Sequence, residues 1–308
     1  MDTEPHRDYA DLQVNGFVGV DFSTAGLTVD AVRRVTQALV ARGTAAFCPT
    51  IITAPTAVYE QNLPVLAAAC ETGDLAAHVL GVHLEGPFLS PQPGARGCHH
   101  VAWMQPPMPA LLEHWQTLAQ GHIKLLTLAP ELPGACETIR CACALGIVVS
   151  LGHTNGTEQQ ILRAVEAGAR CATHLGNAFP RAAHPRDNAM WWLLGCDAVT
   201  AMCITDGYHL NDAFIKTVLR TKGADKFIVV SDVAPVAGLP PGAYDCMGMR
   251  VVLEASGRVS SPDTGTLAGS SATLGECAQH LATLELLTAA QLRQVTRANA
   301  LKLLGLFP

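Results

Sequence analysis

The sequence predicts an α/β fold closed as a (β/α)8 TIM-type barrel, on three observations. Short apolar runs alternate with helical patterns at intervals of roughly 25 to 40 residues, the rhythm of repeated βα units joined into a parallel sheet. Eight such units fill about 220 residues, which suits a barrel better than a doubly wound sheet. Polar and ionisable residues recur at the ends of the apolar runs, on the face where barrels of this kind build their active sites.

In chain order, the strand candidates are residues 10–17, 45–53, 79–84, 123–128, 147–152, 170–174, 199–204 and 227–231. Helical patterns separate them at 28–41, 55–71, 109–120, 134–145, 157–167, 188–194 and 210–221. The fifth helix carries the clearest signals. Thr157 followed by Gln160 reads as a capping box, Gly168 supplies a stop, and Ile161, Leu162 and Val165 form an apolar stripe expected to pack on the sheet. Beyond Asp232 the pattern changes. Residues 238–242, with two prolines, read as a loop, and 249–253 with 258–261 read as a hairpin around Ala255-Ser256-Gly257. Helices at 271–284 and 288–304 end the chain. No linker interrupts it, so the expectation is one barrel domain over 1–308, with the barrel at about 9–232 and the hairpin and helices at about 245–305.

Composition excludes several classes. Of 308 residues, 49% are hydrophobic and 15% charged, too apolar for a disordered chain. Twenty Lys and Arg against 26 Asp and Glu, with no basic run, lack the footprint of a nucleic-acid binder. The first residues show no basic n-region with an apolar stretch, and no segment nears the roughly 18 apolar residues of a membrane span. A soluble, cytoplasmic protein with no membrane or nucleic-acid partner is expected. Eleven scattered cysteines, an odd number, read as reduced core thiols, and Cys141 and Cys143 as packing residues of a helix.

The chemistry lies in Gln13 and Asn15 in the first strand, Glu85 after the third, His153 after the fifth, His174 ending the sixth, His209 past the seventh and Asp232 after the eighth. Glu85, His153 and His174 would give one carboxylate oxygen and two imidazole nitrogens, the three-ligand set with an open position that catalytic zinc uses. A metal there would bring the pKa of water towards about 7 and polarise a carbonyl, with Asp232 as general base and then general acid. His83 shares the side of Glu85 by the period of two, either supporting it or packing. Five other histidines, at 6, 78, 114, 122 and 280, lie in helical stretches or near the termini and receive no role.

The words around these residues are familiar: Asp11-Leu-Gln-Val-Asn-Gly16, His83-Leu-Glu-Gly-Pro-Phe88, Leu128-Ala-Pro-Glu131, Gly152-His-Thr-Asn155, Thr173-His-Leu-Gly-Asn-Ala178, Thr205-Asp-Gly-Tyr-His209, Ser231-Asp-Val-Ala-Pro235 and Gly265-Thr-Leu-Ala-Gly-Ser270. Collinear from about residue 10 to 305, they resemble the N-acetylglucosamine-6-phosphate deacetylases of the amidohydrolase superfamily. The resemblance implies a metal-dependent amidohydrolase that frees acetate from N-acetylglucosamine 6-phosphate. It implies Glu85, His153 and His174 as ligands of one divalent metal, zinc first and iron, manganese or cobalt as alternatives, and Asp232 as proton shuttle. It also implies substrate contacts at His209, at His99 with His100 as runner-up, and at backbone groups of Asn177 and Ala178. Gln13 and Asn15 stand where many amidohydrolases carry His-x-His for a second metal, so a single metal is expected.

Two departures from the family pattern shape the expectation. The residues that flank the barrel in the family and build a small accessory β-sandwich have no counterpart here, so that sandwich is expected to be missing. The loop after His174 carries Arg181 and Arg186 where the family places one arginine that reaches a neighbour's substrate phosphate. Either of them, or neither, takes that role, and a homodimer follows if one does. Trp191 and Trp192 stack on a sugar or pack a helix. The alternatives are the same chemistry on an unphosphorylated N-acetyl sugar or another N-acyl metabolite, and a non-catalytic sugar-phosphate-binding barrel.

Overall fold

The structure, a computed structural model, describes residues 8–180 and 186–306. Its centre is an eight-stranded parallel sheet: β1 (Tyr9–Val14), β2 (Thr44–Ile52), β3 (Val82–Glu85), β4 (Ile123–Leu128), β5 (Val148–Leu151), β6 (Cys171–Ala172), β7 (Thr200–Ile204) and β8 (Phe227–Val230). Each strand pairs with the next in sequence. β8 comes back to β1 through a parallel bridge between Val14 and Val233, and Asn15 N donates to Val233 O at 2.9 Å. Strands covered on both sides read as unbroken apolar runs. β8 is buried throughout.

The crossovers carry α1 (Val29–Val40), α2 (Thr56–Glu71), α3 (Pro109–Leu118), α4 (Ala135–Ala144), α5 (Glu158–Ala167), α6 (Ala189–Gly195) and α7 (Asp212–Lys222). Side-chain caps begin several of them: Thr28 Oγ1 accepts Ala31 N at 3.1 Å, and Thr157 with Gln160 closes the capping box of α5. Trp115 of α3 is fully buried, stacked on Tyr59 of α2 at 4.3 Å and Phe88 at 5.9 Å.

Four expectations need correction. In α5, Ile161 and Ala164 are buried, whereas Leu162 is 47% exposed. One residue is 100° of helical rotation, so adjacent apolar residues cannot share a narrow core stripe. In α4, Ala135, Thr138, Ile139 and Ala142 form the buried face, which leaves Cys141 half-buried and Cys143 exposed on its flank. The last predicted helix is broken into α9 (Ala289–Arg293), a π-helical turn (Gln294–Ala298) and α10 (Asn299–Leu303). After β8 there are three antiparallel strands rather than two: β9 (Gly242–Cys246), β10 (Met249–Leu253) and β11 (Val259–Ser260), followed by α8 (Leu274–Thr283).

The barrel interior is apolar below and polar above. Ala10, Leu12, Cys48, Leu125, Met202, Ile228 and Ala300 belong to one buried cluster. A hydroxyl network lies nearer the strand ends: His83 Nε2 meets Thr127 Oγ1 at 2.8 Å, Thr127 meets Thr173 at 2.7 Å, and Ser150 meets Thr173 at 2.6 Å. His83 Nδ1 donates to Leu12 O at 3.0 Å, so this histidine is a buried strut. Burial brings its imidazole down to about 4, which keeps it neutral.

Asp11 joins the first and last strands. It accepts Ser231 Oγ, Ser231 N and Gln13 N. Burial pushes its carboxyl up to about 7 against those hydrogen bonds, while an aspartate in an unfolded chain titrates near 3.9. Between these values the folded protein keeps a proton that the unfolded chain has released. Its contribution to stability is therefore full below about pH 4 and is lost as pH rises through about 7. Asp11→Asn keeps an oxygen for the two backbone N–H groups and removes this titration. Chemical denaturation should show the variant gaining on the native protein from about pH 4 to about pH 8. An unchanged difference between the two pH values would contradict this account.

Candidate metal and substrate site

The barrel delivers the site residues at the C-terminal ends of its strands. Glu85 is the last residue of β3, while His153, His174 and Asp232 each follow a strand by two residues. Three of these take left-handed backbone, with φ of 51° at His153, 29° at His174 and 52° at Asp232. Such a conformation costs a non-glycine residue about 1–3 kcal/mol and collects at functional sites. Here it turns the chain sharply off the strand, and neighbouring bonds hold it: Ser90 N donates to His153 O at 3.1 Å and Leu175 N to Met202 O at 2.7 Å.

Three atoms then converge. His153 Nε2 and His174 Nε2 lie 3.0 and 2.9 Å from Glu85 Oε1, and 3.0 Å from each other. The side chains are 3–5% exposed. His153 Nδ1 lies 3.0 Å from Ala95 O, to which it can only donate, so its Nε2 carries a lone pair. Lone pairs of this kind and a carboxylate oxygen meet closely only around a proton or a cation. The set of two imidazoles and one carboxylate is that of a catalytic metal site with an open position. Burial works against charge on Glu85, but the hydrogen bonds and charges of His153 and His174 hold its carboxyl well below the usual range. Burial lowers His153, whereas Glu85 outweighs burial at His174 and raises it.

A second grouping shares two of these residues: ligand atoms of Glu85, His99 and His153 all lie within 4.8 Å of one another. His99 is differently placed. Thr53 N donates to its Nδ1 at 3.4 Å and Thr53 Oγ1 lies 2.8 Å away. With Nδ1 accepting from Thr53 N, the ring proton sits on Nε2, which makes that nitrogen a donor in this tautomer rather than a cation ligand. Burial and the charge of His153 bring its imidazole down to about 3, so it stays neutral.

Asp232 faces the same cavity. Its Oδ1 accepts Gln13 Nε2 at 3.0 Å and Asn15 Nδ2 at 2.7 Å. The two first-strand amides thus grip one oxygen of this carboxylate and leave the other for chemistry. Burial, then the charge of Glu85, pushes Asp232 up to about 6, opposed by His174, His209 and the Asn15 hydrogen bond. The amide oxygens of Gln13 and Asn15 are buried without a partner among the described residues.

The cavity has a volume of about 330 Å³, within the range of small-molecule sites. His209, His99, Asn177 and Ala178 line it. Ala178 has a φ of 57°, bending the chain beside the cavity. His100 is exposed and stacks on Trp103 instead. Arg186 is exposed and absent from the described lining, and Arg181 lies outside the described residues. Trp191 is 42% exposed, while Trp192 packs against the core.

Sequence reasoning missed the apolar wall. Ile52, Phe179, Met247 and Leu267 line the cavity, and no polar signal marks them. Cys98 also lines it, its thiol pushed up to about 12 by burial and the charges of Asp232 and Glu85. Gly97 has to be small, because a Cβ there would sit 3.1 Å from the His153 ring at a φ of 57°.

Residues 9–306 match the sequence profile of the amidohydrolase family. The N-acetylglucosamine-6-phosphate deacetylase of Bacillus subtilis is 33% identical over 301 residues, covering 96% of this chain and 74% of that protein. The enzyme of that name from Bos taurus is 36% identical over 284 residues, covering 88% and 67%. The solved deacetylase of Mycobacterium smegmatis, a mutant in complex with N-acetyl-D-glucosamine-6-phosphate, superposes with a TM-score of 0.89 at 27% identity, covering 97% of this chain and 77% of that one. The Pasteurella multocida enzyme gives 0.87 at 28%, covering 97% and 76%.

The two groupings around Glu85 make different demands, and equilibrium dialysis of zinc separates them. One ion per chain is expected. His153→Ala and His174→Ala should each weaken binding by at least about 100-fold, more than the loss of a supporting residue. His99→Ala should leave affinity within about threefold, since its Nε2 carries a proton. A larger loss in His99→Ala than in His174→Ala would reverse the assignment.

Proposed function

The chain belongs to the amidohydrolase family, among its N-acetylglucosamine-6-phosphate deacetylases, and from that premise we propose that it hydrolyses the acetamide of an N-acetylated amino sugar. N-acetylglucosamine 6-phosphate, giving glucosamine 6-phosphate and acetate, is the substrate this reading favours. The observation that carries it is the meeting of Glu85 Oε1, His153 Nε2 and His174 Nε2 in one cavity with Asp232.

Glu85, His153 and His174 would hold one divalent ion, with zinc our choice and iron, manganese and cobalt suited to the same donors. When bound, the ion polarises the amide carbonyl and makes water acidic enough to supply hydroxide near pH 7. Asp232 does the proton work. Its Oδ1 is occupied by Gln13 and Asn15, so its Oδ2 receives the proton of the attacking water and returns it to the nitrogen as the C–N bond breaks. His99 offers its Nε2 proton to a substrate oxygen, and His209 contacts the sugar from the opposite rim. Backbone groups at Asn177 and Ala178 border the same space.

One observation favours a second reading. The described lining of the cavity contains no lysine or arginine, and a bound phosphate calls for such a partner. The same chemistry on an unphosphorylated N-acetyl sugar or another N-acyl metabolite follows if neither Arg181 nor Arg186 serves.

Acetate release by zinc-loaded protein from N-acetylglucosamine 6-phosphate and from the unphosphorylated sugar tests both readings. Release from the phosphate form, abolished by chelation, is expected. Asp232→Asn should lower kcat by about 100- to 10,000-fold, the range of a general acid–base group, with bound metal unchanged. Undiminished turnover in that variant would refute the mechanism. Equal turnover of the two sugars would favour the second reading.

A further inference from the structure

Asp206 precedes His209 by three residues in the segment after β7 and is almost completely inaccessible, its side chain 2% exposed. Both of its oxygens are filled by donors. Oδ1 accepts the backbone N–H groups of Tyr208 and His209, each at 2.9 Å, and Oδ2 accepts His209 Nδ1 at 2.8 Å and Ser270 Oγ at 3.0 Å. A carboxylate with four donors and no acceptor beside it has no place for a proton. Burial alone would raise its pKa, but its partners, His209 first, hold it far below the ordinary range. The proton between Asp206 and His209 therefore belongs to Nδ1, and Nε2 is the ring nitrogen left to the cavity that His209 lines.

Ser270 connects this pair to the end of the neighbouring strand β8. Its N–H donates to Asp232 O at 2.8 Å and its carbonyl accepts Ala234 N at 2.8 Å. The approach is so close that a Cβ on Gly269 would stand 2.9 Å from Asp232 O, at a φ of 70°. One strut thus runs from His209 through Asp206 and Ser270 to the backbone of Asp232.

We propose that Asp206 is a positioning residue that, braced by Ser270, fixes the tautomer and aim of His209 and its separation from Asp232. The proposal rests on the deacetylase reading for its effect on rate, while its effect on the ring does not depend on that reading. Asp206→Asn keeps an oxygen for the two backbone N–H groups but turns an amide N–H towards Nδ1. The ring is then expected to carry its proton on Nε2. Long-range proton–nitrogen NMR of ring-labelled histidine should show the switch, with bound zinc and Tm close to those of the native protein. For acetate release kcat/KM should fall about 100-fold or more, as when a histidine loses its orienting carboxylate, and Asp206→Glu should recover part of it.

A native-like ring proton on Nδ1, or kcat/KM within twofold of the native value, would overturn the proposal. If Asp206→Asn does not fold, Ser270→Ala decides: a fall in kcat/KM of about threefold to tenfold supports the strut, and no fall overturns it. Should the native chain release no acetate from either sugar, the ring proton alone decides. The tautomer switch then supports the proposal although the deacetylase reading has failed.

Discussion

The seam between β1 and β8 is the constraint on which the rest depends. Ring closure puts the first strand beside the last, so that Gln13 and Asn15 reach Asp232 across 219 and 217 residues of chain. The seam is more than a backbone bridge. Asp11 below it accepts three hydrogen bonds from Ser231 and Gln13, and Val14 and Val233 pair above. An open sheet would leave the carboxylate of Asp232 without its amide partners and the ends of the strands facing no common space. Closure therefore turns separate strand termini into one cavity.

Within that cavity two buried carboxylates are driven apart in acidity. Glu85 lies between two imidazoles and stays charged, whereas Asp232 is lifted to about 6 by burial and by the negative charge of Glu85. Paired titratable groups with divergent environments mark a division of labour, one holding charge and the other moving protons. The strained backbone at His153, His174 and Asp232 serves the same end, since a side chain leaving the strand in ordinary extended conformation would follow its alternation. The fold absorbs that local cost through the buried strands beneath.

Much of this was legible because burial on both faces of a parallel sheet leaves few excuses for an ionisable residue. Glu85, His153, His174 and Asp232 stood out against apolar strands, and their atoms do share one cavity. Strand ends were less legible: the run at 170–174 contracts to Cys171–Ala172 because His174 leaves the extended conformation. β9 was invisible, since Gly242–Cys246 has no run of large aliphatic residues and is nowhere fully buried. Asp206 escaped notice because an aspartate in Asp-Gly-Tyr looks like an ordinary turn residue. Its partner Ser270 lies 64 positions away, a distance that spacing alone cannot bridge.

The apolar wall adds the last element. Met247 sits at the turn between β9 and β10 with a φ of 54°, and its N–H donates to Asp21 Oδ2 at 2.6 Å. That bond ties the three-stranded sheet to the segment following β1 and sets Met247 over the cavity beside Leu267 and Ile52. The wall is part of folded structure, joined to both ends of the barrel chain. A site whose lining combines charged and polar groups with apolar ones suits a substrate that itself carries both. An acetamide on a sugar is such a group: its methyl needs a dry surface while its carbonyl needs donors.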